Sequence, residues 1–172
     1  IALVLIDSSE GITDGDLAVA EEARKASCAT LIVLSKWDIS TVTVDDVRER
    51  LGDRLRQRPS MVTTTALTGR NVDRLLDAVE ELFVRYTSRI GTGPLNRAME
   101  EITSRRDPPR KGRWRLILLY ATLYLTRPPR FRIVVNDRTL VTRDYAYFVE
   151  NQLRDRLNLE GCPLIIDFQS RS

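Results

Sequence analysis

The stretch Leu31-Ile32-Val33-Leu34-Ser35-Lys36-Trp37-Asp38 decides how the first half of this chain reads. Four consecutive aliphatic residues run straight into a polar tetrad. An unbroken apolar run of this length fits a strand covered on both faces, the environment of a parallel sheet rather than of an alternating, half-wet one. The tetrad then falls at the strand's C-terminal end, the edge at which open α/β sheets hold ligands. A solvated turn would use the same residues, so the tetrad alone leaves both readings open.

Outward from this strand the pattern repeats. Ile1 to Ile6 is a second apolar run, ending at Asp7. Asp14 is placed to cap a helix whose apolar positions Leu17, Ala20 and Ala23 recur at helical spacing. Thr43 is placed to cap another, carrying Val44, Val47, Leu51 and Leu55, with Pro59 beyond its end. Met61 to Leu67 is a third β-rich run. Asn71 is placed to cap a long helix bearing Val72, Leu75, Leu76, Val79, Leu82, Phe83 and Tyr86, a stripe expected to pack on a sheet. Three β-α repeats predict a parallel sheet with right-handed crossovers, half of a doubly wound domain. Half of such a sheet is expected to leave an apolar edge and face uncovered.

The tetrad carries chemistry. Ser35-Lys36-Trp37-Asp38 is one substitution from the Asn-Lys-x-Asp box with which GTPases read guanine. A carboxylate such as Asp38 accepts two hydrogen bonds, which matches the adjacent N1–H and N2–H donors of guanine; adenine offers no such pair. Lys36 is able to lay its methylene stem over the base while its ammonium stays wet. Thr65-Ala66-Leu67, 27 residues after Asp38, resembles the Ser-Ala-Lys/Leu box whose backbone amide contacts guanine O6. The tripeptide alone means little, but the two boxes in this order favour a guanine-binding (G) domain.

Other parts of such a domain are missing from the sequence. The glycines are at 11, 15, 52, 69, 91, 93, 112 and 161, and no two are five apart, so there is no G-x-x-x-x-G-K-[ST] phosphate loop. Asp7 and Gly11 are one residue too far apart for an Asp-x-x-Gly box. Nothing else evident cradles the β- and γ-phosphates, holds Mg²⁺ or positions a water. Ile1 to Asp7 already read as a core strand, so the expectation is a longer chain whose upstream part does the phosphate chemistry, with no catalytic residue assigned here.

Composition narrows the classes. The chain has 172 residues, 42% hydrophobic and 30% charged, room for one ordinary domain or two small ones. No apolar run approaches the roughly 20 residues of a membrane span, so no membrane role and a reducing, cytoplasmic setting are expected. Cys28 and Cys162 are isolated, which suggests neither a disulfide framework nor a metal knuckle. With no histidine, Ser-His-Asp chemistry and histidine zinc sites are excluded within the chain. Residues 1–88 carry 11 Lys and Arg against 15 Asp and Glu, and residues 89–172 carry 16 against 9, a change of net charge from −4 to +7. That asymmetry suggests two units, 1–88 and 89–172, and a polyanionic partner for the second.

The second unit has its own order. Gly91, Gly93 and Pro94 break the long helix. A helix from about Leu95 to Thr103 follows, then a basic loop, Arg105 to Arg113, then a β-rich run from Trp114 to Tyr124. Thr126 to Arg130 turns the chain into a strand, Phe131 to Val135. A helix with Tyr145, Phe148, Val149, Leu153 and Leu157 precedes a last strand, Leu164 to Phe168. The order α-β-β-α-β predicts a small α+β domain.

Specific residues now carry a resemblance. Pro94-Leu95-Asn96-Arg97-Ala98, Leu119-Tyr120-Ala121-Thr122, Thr126-Arg127-Pro128-Pro129, Val135-Asn136-Asp137, Tyr147 to Arg154 and Glu160 to Leu164 resemble the C-terminal KH-like domain of the bacterial tandem-GTPase family Der, also called EngA. Ile6 to Gly11, the tetrad and Ala66-Leu67-Thr68-Gly69 resemble the end of that family's second G domain. The resemblance implies the back half of a P-loop-type G domain at 1–88 and a KH-like domain at 89–172. It further implies a GTP-hydrolysing parent that binds GTP or GDP with Mg²⁺ and assists assembly of the large ribosomal subunit. The partners implied are ribosomal RNA and the absent G-domain portions. Base contacts fall on Ser35, Lys36, Asp38, Thr65, Ala66 and Leu67; Mg²⁺ ligands fall outside this chain. Ser35 and Thr65 depart from the family's Asn and Ser.

KH domains clamp nucleic-acid backbone with a G-x-x-G loop, and no two glycines here are three apart. RNA contact must therefore use other groups, for which Arg110, Lys111, Arg113, Arg127 and Arg130 are the candidates. In the competing reading these arginines pair with the acidic surface of the first unit, a purely intramolecular docking role, and Trp114, Tyr120, Tyr124 and Phe131 are core. An RNA-binding or protein-interaction module with a degenerate G-domain remnant remains the alternative for the whole chain.

Overall fold

The structure is a computed structural model that describes residues 1–52 and 55–171. The chain divides into two units, Ile1–Tyr86 with Glu160–Pro163, and Thr87–Leu159 with Leu164–Ser172.

In the first unit β1 (Ala2–Asp7), β2 (Thr30–Ser35) and β3 (Met61–Thr63) form a parallel sheet in the order β1-β2-β3. The crossovers are α1 (Asp14–Lys25) and α2 (Val44–Leu51), and α3 (Val72–Thr87) follows β3. Val4, Ile6, Ile32 and Leu34 point to one face and build a core with Leu17 and Ala20 of α1 and Val47 and Leu51 of α2. Leu55 lies past the end of α2 yet completes that core. Leu31 and Val33 alternate to the other face and are buried too, so β2 is covered on both sides, as its unbroken apolar run requires. Their register partners on β1, Leu3 and Leu5, are 42% and 62% exposed. Cover on that face therefore stops between β2 and β1, which is the uncovered face expected.

Three details of the sequence reading need correction. The cap of α1 is Thr13, not Asp14: its side chain accepts from the Asp16 amide while Asp16 accepts from Thr13 N–H. Its hydroxyl satisfies a first-turn amide from just outside the helix, which a residue already inside it cannot do. Thr43 builds the same reciprocal box with Asp46 on α2. The third strand is shorter than Met61 to Leu67, because Thr65 leaves the ladder and pairs with Arg70 across a tight reversal. On α3 only Leu82 of the expected stripe is fully buried; Val72, Leu76 and Phe83 remain exposed, because a three-stranded sheet is narrower than that stripe.

In the second unit α4 (Thr92–Arg105) leads to a hairpin of β4 (Arg110–Lys111) and β5 (Trp114–Arg115). A mixed sheet follows, β6 (Leu118–Thr126), β7 (Pro129–Val135) and β8 (Ile165–Ser170), with α5 (Arg143–Arg156) before β8. β7 is central, antiparallel to β6 and parallel to β8. The helix α4 starts before Leu95 because Pro94 sits in its first turn, where no intrahelical N–H is needed. Leu95, Ala98, Met99 and Ile102 of α4 are buried, together with Ala121, Phe131, Ile133, Tyr145, Val149 and Leu153. The Asn96 amide brackets β6, accepting from Ala121 N–H at 2.8 Å and donating to its carbonyl at 3.1 Å. The basic segment read as a loop thus holds the first strand and the turn of a hairpin, and the β-rich run after it is two strands, β5 and β6.

Candidate nucleotide-base site

Parallel register brings the two boxes to one edge. Asp7 pairs with Ser35, and Leu34 pairs with Thr63, so β1, β2 and β3 end side by side. Lys36 adopts a left-handed conformation (φ +50°) that turns the chain sharply off β2 into a 3₁₀ turn, Trp37–Ile39. Trp37 N–H donates to the Thr64 carbonyl at 3.1 Å, and Thr64 N–H donates to Leu34 at 2.8 Å. The tetrad and the Thr65-Ala66-Leu67 segment are therefore joined by direct backbone bonds. Trp37 packs its ring against the core, while Asp38 on one loop and Ala66 and Leu67 on the other are exposed. Thr65 is buried, its N–H bonded to Arg70. Asn71 donates from its side chain to the Thr63 carbonyl at 2.9 Å and to the Thr63 hydroxyl at 3.3 Å, tying the second loop back to its strand.

Two residues the sequence reading passed over complete the edge. Asp7 accepts from Lys36 Nζ at 2.6 Å, from Ser9 N–H at 3.0 Å and from the Ser9 hydroxyl at 2.6 Å. The Lys36 ammonium, then the Ser9 hydroxyl, hold the Asp7 carboxyl down at about 2. In return Asp7 raises the Lys36 ammonium above its ordinary value. The lysine is thus anchored at its head as well as at its backbone, rather than loose in water. The sequence signal was present: an Asp at a strand end followed by two serines is a turn that recruits the carboxylate. Ser35 donates its hydroxyl to the Ile6 carbonyl at 3.0 Å, so its one O–H is spent within the sheet.

The five cationic candidates of the second unit do not form one patch. Arg110 and Lys111 lie on β4 and Arg113 in the adjoining turn, beside the Leu118 end of β6. Arg127 and Arg130 flank the opposite end, where β6 turns into β7. The nine residues of β6 separate the clusters, and the eight steps between its ends span about 27 Å at roughly 3.4 Å per step. Other arginines are structural: Arg106 pairs with Asp144, Arg115 with Asp107 at 2.8 Å, Arg154 with Glu150 at 3.0 Å and Arg156 with Glu101 at 3.3 Å. Of the aromatics weighed as core, only Phe131 is buried; Trp114, Tyr120 and Tyr124 are 61%, 52% and 44% exposed.

Residues 89–169 match the family model described as the KH-domain-like, C-terminal part of EngA bacterial GTPase enzymes. Over 99% of its length the chain is 35% identical to GTPase Der of Syntrophobacter fumaroxidans and 38% identical to GTPase Der of Alcanivorax borkumensis. GTPase Der of Nitratiruptor is 34% identical over 96% of the chain. The chain belongs to the Der (EngA) family. It spans 40%, 37% and 36% of the length of these three relatives, respectively. The Der alignments run through both units, so the parallel-sheet unit and the KH-like unit occur together in those relatives.

Proposed function

We propose that residues 1–88 are the base-reading back half of a G domain and that residues 89–172 are a KH-like domain that contacts ribosomal RNA. The whole protein is then a GTP-hydrolysing factor in assembly of the large ribosomal subunit, working in the cytoplasm. The observation that carries this reading is the bond from Trp37 N–H to the Thr64 carbonyl. It puts Asp38 and Ala66 on neighbouring loops at the C-terminal edge of a parallel sheet, the topology that places ligands there.

In this reading Asp38 accepts from guanine N1–H and N2–H, and the Ala66 amide, with Thr65 and Leu67 shaping its loop, faces O6. Lys36, held by Asp7, lays its stem along the ring. Ser35 adds little, its hydroxyl being committed to Ile6. The residues that hold phosphates and Mg²⁺ in such domains sit in a G-x-x-x-x-G-K-[ST] loop and an Asp-x-x-Gly box, and this sequence contains neither. We therefore assign Mg²⁺ and the phosphates of GTP or GDP to parts of the relatives outside this match, together with hydrolysis.

Such a site binds weakly, since a charge-assisted pair is worth roughly 1.5–3 kcal/mol and no phosphate contact adds to it. Saturation-transfer NMR with millimolar guanosine and adenosine tests it. Guanosine signals that exceed those of adenosine and vanish in Asp38→Ala are expected. Equal signals from the two nucleosides would refute base recognition, and tight, micromolar GDP binding would refute the assignment of the phosphate contacts elsewhere.

A further inference from the structure

The β4–β5 hairpin concentrates Arg110, Lys111, Arg113, Trp114 and Arg115 in six residues. Gly112 opens its two-residue turn at φ +60°, as a tight II′-type reversal requires, and nothing lies within 4 Å of where its Cβ would be. The base of the hairpin is fixed. Leu116 is fully buried and its N–H donates to the Pro109 carbonyl at 2.9 Å. Asn136 accepts from Ile117 N–H at 2.8 Å and donates to the Arg115 carbonyl at 2.9 Å. The tip therefore projects from a rigid footing.

The charges at this tip have different tasks. Arg115 is paired with Asp107 at 2.8 Å. Arg113 lies over one face of the Trp114 indole, 5.1 Å from its centroid. Arg110 and Lys111 are exposed and neither forms a salt bridge among the described residues, while Lys111 lies close enough to Asp137 to help hold that carboxyl down. Trp114 remains 61% exposed although Arg113 lies over its ring, so much of the indole surface is open to water. A single exposed tryptophan is unremarkable by itself. A rigidly mounted one, backed by a guanidinium and flanked by two exposed cations, has the make-up of a stacking platform with phosphate clamps.

We infer that Trp114 stacks on an unpaired nucleobase while Arg110 and Lys111 grip the adjoining phosphates, so the hairpin selects single-stranded or looped RNA. Inside a duplex every base face is covered by its neighbours, only the two terminal pairs keep an open face, and the deep, narrow major groove of A-form RNA excludes the indole. The inference rests on the reading of the second unit as an RNA-contacting domain, and it deepens that reading by naming the substrate form and the residue that senses it.

The test uses the full chain, a ten-nucleotide oligouridylate and a blunt-ended RNA duplex, with affinities from fluorescence anisotropy of labelled RNA over a salt series. Trp114→Ala is expected to weaken oligouridylate binding about 5- to 100-fold and to leave duplex binding unchanged. Trp114→Phe is expected to restore most of the loss, because the requirement is a flat ring. Arg110→Ala with Lys111→Ala is expected to weaken both RNAs and to lower the single-strand salt slope by about 1.4. In Trp37→Phe, where Trp114 is the only tryptophan, oligouridylate is expected to quench emission. If Trp114→Ala binds oligouridylate like the parent while the double variant loses both RNAs, the stacking inference falls and RNA contact by the domain stands. If the parent binds neither RNA at low salt, both fall and a protein surface becomes the hairpin's partner.

Discussion

Gly161 is the position at which one methyl group is expected to do the most damage to the first unit. Its φ is +78°, a conformation in which an L-residue costs about 1–2 kcal/mol. A Cβ built there would lie 2.8 Å from the Thr30 carbonyl oxygen and 3.0 Å from Leu82 Cδ1. The first neighbour is backbone and cannot swing aside. Thr30 is moreover bonded through its N–H to Gly161 O at 2.8 Å, and Gly161 N–H bonds to Gln57 O at 2.7 Å. Relief of the clash stretches both bonds at the start of β2, the strand on which the core and the tetrad are built. Overpacking of this kind costs about 1–3 kcal/mol beyond the dihedral term. Gly161→Ala is therefore expected to cost about 2–4 kcal/mol, after roughly 0.4–1 kcal/mol is returned by stiffening the unfolded chain. Gly69 supplies the control, because its φ is +70° with nothing within 4 Å of its Cβ position. The dihedral and unfolded-chain effects are shared by the two alanine variants and cancel in their difference. Urea unfolding followed by tryptophan fluorescence reads this difference directly. Trp37 is half-buried in this unit, whereas Trp114 already faces solvent and changes little. A difference of at least 1 kcal/mol between Gly161→Ala and Gly69→Ala is about the smallest the clash allows. If Gly161→Ala loses no more stability than Gly69→Ala, steric closure around residue 161 is not what the structure says it is.

Two further outcomes follow from local geometry. Because Lys36 and Ser9 depress the Asp7 carboxyl, its contribution to stability is fully present above the ordinary 3.8 and is lost as pH falls towards about 2. A carboxyl-carbon NMR titration of Asp7 should show its midpoint near 2 in the parent and a return towards 3.8 in Lys36→Met, and an unperturbed midpoint in the parent would remove the clamp from the site. Thr43→Ala deletes the hydroxyl that accepts from Asp46 N–H, and should lower stability by about 1 kcal/mol in the same urea experiment; no change would mean that water replaces the cap at no cost.

Much of the site could be read from one dimension, for a physical reason. A strand buried on both faces must be apolar throughout, so Leu31 to Leu34 announce β2 and its polar end announces the C-terminal edge of the sheet. Helices advertise themselves through apolar spacing and through reciprocal caps such as Thr43 with Asp46. The reading of Asp14 as a cap failed because Thr13 and Asp14 are both capping residues, and only the backbone angle at residue 13 decides between them.

The sequence by itself determined the order of the main helices and strands, the charge asymmetry between its two halves and the position of a polar box after each of two successive strands, because each is local or periodic. The tertiary structure alone decided which charges are available. Asp7 and Lys36 stand 29 positions apart and meet only because β1 and β2 align Asp7 with Ser35. Arg110 and Arg130 look like members of one basic region, yet the length of β6 parts them. Arg115 is paired with Asp107, while Arg110 forms no salt bridge among the described residues. Long-range pairing depends on register and on strand length, and no window of neighbouring residues contains either.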